Sequence, residues 1–434
     1  MNTIYIKASN TVEIISALEE QIRAGRLKSG ESLPTIRELA SQLGISPNTV
    51  ANAYAKLRDA GLIVSDGRKG TSVALPPSHS ELLTVLPAGL MDLASGNVDT
   101  KLLPPLDTAY LSLQAPLTGY DALGDADELL DIAKQWLIKE QIPANDIGVF
   151  SGTLEAIAIA LRLRLPPGAR VWVEDPCWPP LIALLTSLRL KPIPLSVDVD
   201  GCLVPTLDKQ VMAMILTPRA HNPTGANISK ERLNAILALL QQQPQTLLIL
   251  DDYWGPLAQQ ALPQCKNLPP HWLYILSMSK FLGPDLRVTL VSGSAALVED
   301  MRRQQSLGSR WVSLLLQKLT AQLWIQSHHH QTLTHASKSY ARRRTMLIES
   351  MVKQGVNTPM AEGEGLHIWL PVDDEAATLQ ALAVKGWGVQ AGSPFRLRAE
   401  PAIRISLGNL PEDAIRPLAQ DIADSLRRPK RAWI

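Results

Sequence analysis

The stretch "SMSKFLGPDLR" puts Ser277 and Ser279 just before Lys280, and Arg287 follows the lysine by seven residues. Serine hydroxyls and a guanidinium together make an anion seat, most economically for a phosphate. A lysine between them is an amine held for chemistry. Four further stretches carry matching groups. "FSGTLEAIAIAL" runs from an apolar strand end through Gly152 and Thr153 into a helical pattern, and a helix start offers free N–H groups and a positive dipole end to a phosphate. "VWVEDPCW" delivers Trp178, an aromatic face able to cover a ring. "HNPTG" sets the Asn222 amide before a tight turn. "LLILDDYW" ends an apolar run in Asp251, Asp252 and Tyr253; buried acids there require a positive partner, and a protonated pyridine nitrogen is one.

Each feature has a plainer reading. Ser-Gly-Thr is a common helix cap, Trp178 suits a core, Asn222 suits any turn, and the two acids suit a surface. Their joint occurrence in this order forms a complete inventory for pyridoxal 5′-phosphate. Lys280 meets the aldehyde. One aspartate keeps the pyridine nitrogen protonated and so sustains its electron-sink character. Asn222 and Tyr253 hold the ring hydroxyl, and Ser277, Ser279, Arg287 and the helix start hold the phosphate.

The elements that must position these groups follow from pattern. From about residue 91 the chain alternates helical segments with short apolar strands such as "RVWVED", "AMILT" and "TLLILDD". Alternation of this kind gives an α/β fold, a mostly parallel sheet covered by helices. In such folds ligands sit at the carboxyl ends of strands, where these residues fall. At 434 residues two or three domains are expected. The hydrophobic fraction of 46% and charged fraction of 19% are those of a core-rich globular chain. No apolar run reaches a membrane span and "MNTIYIKASN" lacks the pattern of a secretory signal, so neither is expected. Three widely spaced cysteines, Cys177, Cys202 and Cys265, fit a reducing cytosol. The net charge of +1 means that any nucleic-acid contact must come from local patches.

The first seventy-odd residues supply such a patch. Residues 11 to 24 carry Ile14, Ile15, Leu18 and Ile22 on one helix face. Residues 35 to 43 repeat the pattern, Gly44 permits a tight turn, and Ser46-Pro47 reads as a cap followed by proline at the first helical position. The next helix turns Val50, Tyr54 and Leu57 inward. Helix, turn, helix of this size is the helix-turn-helix arrangement, although helices alone suit a three-helix packing module with a solvated hairpin equally well, and it is the cap, the turn and the basic hairpin that follows, taken together, that favour DNA binding. Two β-prone runs then flank Asp66-Gly67, a hairpin with Arg68 and Lys69 at its tip, which reads as a basic wing. Residues 75 to 90 are proline-bearing and lack a sustained period, as a linker does.

"SGESLPTIRELASQLGISPNTVANAYAKLRDAGLI" closely resembles the winged-helix domain of GntR-superfamily transcription regulators. The resemblance implies DNA contacts from Arg37, Ser46, Asn48 and Thr49, with Arg68 and Lys69 at the wing. Many relatives have arginine where this chain has Pro47 and Ala51, which shifts base readout toward Asn48 and Asn52. Residues 91 to 428 resemble fold-type-I pyridoxal-phosphate enzymes of the aspartate-aminotransferase family, on "HNPTG", "DDY" and "SMSKFLGPDLR". That resemblance implies Lys280 as the cofactor lysine, Asn222 and Tyr253 at the ring oxygen, Trp178 stacked on the ring, and Gly152, Thr153, Ser277, Ser279 and Arg287 at the phosphate. It favours Asp251 over Asp252 at the ring nitrogen. "PAIRISLG" resembles the strand whose arginine, here Arg404, binds a substrate carboxylate, and Tyr120 resembles a tyrosine that reaches the partner subunit's phosphate. Leu154, Asp121 and Thr289 depart from the family pattern and count against efficient turnover.

A winged helix, a linker and an aminotransferase-like domain together resemble the MocR subgroup of GntR regulators. The expected organisation is therefore residues 1–75 as a winged helix-turn-helix, 76–90 as linker, and 91–434 as a fold-type-I transferase-like domain with a small C-terminal α+β lobe. The resemblance implies a cytoplasmic, head-to-tail homodimer that binds a double-stranded DNA operator. Its small-molecule effector would be pyridoxal 5′-phosphate or an adduct with an amine, with a lean toward control of vitamin B6 metabolism. Two other readings stand beside it: a working aminotransferase with an accessory DNA-binding domain, and a degenerate scaffold without cofactor. His328, His329, His330 and His335 read as a solvated helix face with no metal, Arg342, Arg343 and Arg344 as exposed helix, and "RRPKRAWI" as a frayed terminus.

Overall fold

The computed structural model describes residues 6–59, 62–66, 70–73, 86–106, 113, 119 and 124–427. Arg68, Lys69, Tyr120 and residues 76–85 of the expected linker lie outside the described residues. The chain divides into two compact units, a small one made of the N-terminal segment together with Pro166–Arg170 and Pro180–Pro192, and a large one.

Local chemistry starts and stops each helix of the small unit. Helix α1 (Thr11–Arg23) begins where the Asn10 side chain accepts from the N–H groups of Val12 and Glu13. Helix α2 (Ile36–Leu43) has a full capping box: Thr35 accepts from the Glu38 N–H, and Glu38 reaches back to the Thr35 N–H. Gly44 ends α2 at φ +68°, a conformation that glycine adopts without a Cβ penalty. Helix α3 (Pro47–Asp59) starts at Ser46, whose Oγ accepts from the Thr49 N–H at 3.2 Å. Ile14, Leu18, Leu39, Val50 and Leu57 are completely buried in the core these helices share. The buried Tyr54 hydroxyl donates to the Pro34 carbonyl at 2.8 Å and ties α3 to the segment before α2. Strands β1 (Ile63–Asp66) and β2 (Gly70–Val73) pair antiparallel after the third helix, in the place of a wing.

The large unit opens with β3 (Met91–Leu93). Its main sheet follows: β4 (Ile147–Phe150), β5 (Arg170–Asp175), β6 (Lys191–Asp198), β7 (Gly201–Cys202), β8 (Val211–Leu216), β9 (Leu247–Asp252), β10 (Trp272–Ser277) and β11 (Thr289–Gly293). The spatial order is β4-β11-β10-β9-β8-β5-β6-β7. Strands β8, β9 and β10 run parallel at its centre, and β11 is antiparallel to both neighbours. Every residue of β9 and β10 is buried, which is why both read as continuous apolar runs. A second sheet holds β12 (His367–Pro371), β13 (Trp387–Ala391) and β14 (Ala402–Ser406), in the order β12-β14-β13-β3. This is the α+β lobe, with its own core around Ile403, Ile405 and Leu407.

Arg342 is exposed and pairs with Glu412, but the expectation of an exposed triplet fails for its neighbours. Arg343 turns inward to Asp99 at 2.6 Å, and Arg344 is buried at 3% exposure against the carbonyls of His367 and Met360. A three-residue run spans most of a helical turn, so it cannot all face water. His328, His329, His330 and His335 are exposed.

A buried ion network braces the sheet. Arg219 donates to Asp252 at 2.7 Å and to Glu140 at 2.8 Å, and the Tyr274 hydroxyl donates to Asp252 at 2.6 Å. Breaking a buried pair leaves an uncompensated charge. Arg219→Met should therefore lower the stability of the large unit by roughly 3–5 kcal/mol in denaturant unfolding. A loss under about 1 kcal/mol would show that water or another cation replaces the guanidinium.

Candidate ligand site and nucleic-acid interface

The carboxyl ends of β4, β5, β8, β9 and β10 each hand one or two side chains to the same region, as the fold rule requires. Strand β9 ends in Asp251 and Asp252, whose side chains take opposite faces of the sheet. Asp252 is satisfied by Arg219, Tyr274 and the N–H groups of Trp254 and Gly255. Asp251 is buried and its Oδ1 has no hydrogen-bond partner. Burial, then the Asp252 charge, pushes its carboxyl up to about 7. A buried carboxylate oxygen without a donor is a place for a ligand donor.

Lys280 follows β10. Its Nζ donates to the Gly96 carbonyl at 2.8 Å. Burial, then Arg404, pulls its ammonium down to about 8, so the neutral amine is accessible near physiological pH. Arg404, on β14, is buried at 6% exposure. It donates to the Ala94 carbonyl and to Asn222 Oδ1, the latter at 3.3 Å, and its guanidinium lies 4.8 Å over the Phe395 ring. The Tyr253 hydroxyl donates to the Ala220 carbonyl, two residues before Asn222. Trp178 is half-buried in the turn after β5, beside Cys177, whose N–H donates to the Phe395 carbonyl at 2.7 Å.

Gly152, expected at a phosphate, is the cap of the helix Thr153–Arg164. A Cβ at Gly152 would lie 2.4 Å from Arg287 Nη2, so only glycine lets the guanidinium lie against this helix start. Ser277 is buried, and its Oγ accepts from the Ser279 N–H at 3.4 Å.

Three buried groups escaped the sequence reading. Glu174 accepts from the Thr217 N–H at 2.8 Å and lies 3.4 Å from His221 Nε2, while His221 Nδ1 meets the Thr224 hydroxyl at 2.8 Å. Burial raises the Glu174 carboxyl and lowers the His221 imidazole, and so favours the neutral form of each. His367 sits 3.2 Å from the Ser406 hydroxyl, and its ring packs against Gly96. His221 precedes Asn222 within "HNPTG" and Glu174 is the penultimate residue of β5, so position alone was the available signal.

In the small unit Arg37, Asn48 and Asn52 are exposed on α2 and α3. Ser46 and Thr49 instead bond each other, hydroxyl to hydroxyl, at 2.8 Å.

Family models match both units. Residues 10–73 match the GntR family of bacterial regulatory proteins, and residues 89–422 match aminotransferase class I and II. The chain is 37% identical, over 96% of its length and 98% of the other's, to the vitamin B6 salvage pathway transcriptional repressor PtsJ of Salmonella typhimurium. It belongs to the MocR subgroup of GntR-type transcription regulators. The MocR chain is also 24% identical to the pyridoxine biosynthesis transcriptional regulator PdxR of Corynebacterium glutamicum, over 98% of each chain. Among solved structures it resembles the Pyrococcus horikoshii kynurenine aminotransferase, with TM-score 0.70 and 19% identity over 82% of this chain and 98% of the other. That likeness confirms the aminotransferase-like fold. It is thus a DNA-binding regulator with an aminotransferase-like domain, and no described helix is long and apolar enough to cross a membrane.

The state of Asp251 has a pH signature. Its folded pKa of about 7 lies above the ordinary 3.8, so folding takes up a proton between those values. Its contribution to stability falls as pH rises through that window. Asp251→Asn should gain on the parent by a few kcal/mol, on the order expected from linkage, between pH 4 and pH 7. Parallel stability curves for the two proteins would show that the carboxylate is already paired.

Proposed function

We propose that this regulator senses pyridoxal 5′-phosphate, or its adduct with an amine or amino acid, and controls genes of vitamin B6 supply. The observation that carries the reading is the partnerless oxygen of Asp251, buried in the region that Lys280, Asn222, Tyr253 and Arg404 share. A protonated pyridine nitrogen is the donor that this oxygen lacks. When bound, the cofactor supplies an aldehyde that condenses with amines and a cationic ring that withdraws electrons.

The chain's own groups divide the work. Asp251 accepts the ring N–H and thereby offsets the cost of its burial. Lys280 would hold the aldehyde end, its amine having a hold on a proton already weakened by burial. Asn222 and Tyr253 take the ring hydroxyl, and Trp178 covers the ring face. Arg287, Ser277, Ser279 and the helix start at Gly152 and Thr153 take the phosphate, where charge-assisted bonds are strongest. Arg404 takes the carboxylate of an amino-acid partner, and Tyr120 of the partner subunit completes the phosphate seat in a head-to-tail homodimer. The winged helix holds double-stranded DNA in the cytoplasm through Arg37, Asn48 and Asn52, with Ser46 and Thr49 at the helix start and Arg68 and Lys69 on the wing.

Arg404, held by Asn222, also favours a second reading, an aminotransferase that carries a DNA-binding domain. Single-turnover assays with amino acids separate the two.

Borohydride reduction of the loaded protein should fix the cofactor's mass on the peptide bearing Lys280, and Lys280→Ala should lose both the adduct and the visible absorbance. Label on a different lysine rejects the site. An effector alters DNA binding only through a difference in affinity between two states, and the coupling is reciprocal. Titrating operator with and without pyridoxal phosphate, and pyridoxal phosphate with and without operator, should give one common factor, worth roughly 1–3 kcal/mol. Saturation of Lys280 with both affinities unchanged would sink the sensor reading for that molecule alone. Arg37→Ala should weaken binding on all sequences and lower the salt slope by about one, as loss of a phosphate contact does.

A further inference from the structure

We infer that α3 reads adenine at two base pairs of each operator half-site, through Asn48 and Asn52, so that these pairs are A·T and not G·C. The inference rests on the reading of the small unit as a DNA-binding domain and adds the bases it selects.

In a helix-turn-helix the first residues of the second helix meet base edges while the preceding helix crosses the backbone. Four polar side chains are available at the start of α3: Ser46, Asn48, Thr49 and Asn52. Ser46 and Thr49 are engaged locally. Their hydroxyls bond at 2.8 Å, and Ser46 Oγ also accepts the Thr49 N–H at 3.2 Å. These bonds hold both hydroxyls at the helix start and leave the pair only one O–H to offer a base. Asn48 and Asn52 are exposed and four residues apart, on one face of the helix, while Val50, Ala53, Tyr54 and Leu57 occupy the buried face. Lys56 and Arg58 are exposed too, but in the last turns, away from the base-reading end.

An asparagine amide presents a donor and an acceptor side by side. Adenine presents their complement in the major groove, the N7 acceptor and the N6 donor. Guanine presents two acceptors, N7 and O6, which would leave the amide oxygen facing an oxygen. Guanine is read by arginine or lysine, and the first two turns of α3 contain neither. Pro47 and Ala51, the neighbours of the two asparagines, are apolar and suit the thymine methyl groups that A·T pairs place in the same groove.

The test uses the full-length protein and randomised duplexes. Selection should return adenine at two positions in each half-site. Asn48→Ala should erase the preference at one of them and Asn52→Ala at the other, while both variants keep the parent's thermal unfolding curve, which shows that they fold. In the selected operator, 7-deazaadenine at either position removes the N7 acceptor and should weaken the parent's binding by roughly five- to 150-fold, the range of one bidentate contact. It should not further weaken the variant that lacks the facing asparagine. Guanine selected at these positions, variants that select the parent's sequence, or variants weakened equally on every sequence each overturn the inference. Failure of the parent to bind any duplex, even at low salt, overturns the DNA-binding reading itself.

Discussion

Two adjacent carboxylates at the end of a fully buried strand cannot both stay charged without partners, and the large unit is organised around that fact. Strand geometry sends Asp251 and Asp252 to opposite faces. Asp252 is answered from within the chain by Arg219, Tyr274 and two backbone N–H groups. Asp251 is left for something else. The one acid braces the sheet, and the other gives the site its demand for a donor.

The cations nearby follow a related logic. Lys280 rests on the Gly96 carbonyl, Arg344 on those of His367 and Met360, and Arg404 on that of Ala94. Backbone carbonyls carry partial charge, so they hold these side chains in place without neutralising them. The positive charge therefore stays available to an anionic ligand in a region of low dielectric. Burial lowers the proton affinity of Lys280, Arg344 and Arg404 alike, a cost that an arriving phosphate or carboxylate would offset.

Features fixed by neighbours in sequence were legible before any coordinates. Ser46 starts its helix by a bond that spans three residues, and the apolar faces of α1 and α3 follow from period alone; the caps at Asn10 and at Thr35 with Glu38 are as local but went unread. The resemblance favoured Asp251 over Asp252, but nothing local shows what engages Asp252, because Arg219 lies 33 residues away. Arg343 and Arg344 were misread for the same reason: Asp99 and the His367 carbonyl are brought to them only by the fold. Glu174, His221 and His367 carry no local mark of burial. Contacts distant in sequence decide what a polar residue does, and periodicity does not see them.

The Arg219–Asp252 contact, at 3% and 0% exposure, lies beyond the reach of mobile ions, whereas Arg37 and the polar face of α3 meet bulk solvent. Ions in solution screen exposed charges over about 10 Å and buried ones far less. The two units thus respond to different external variables. Ionic strength tunes the grip on nucleic acid while leaving the interior of the large unit undisturbed, and proton concentration acts on that interior through Asp251 and Lys280. A change in salt is therefore felt at the exposed polar face of the small unit, while the buried pair of the large unit is insulated from it.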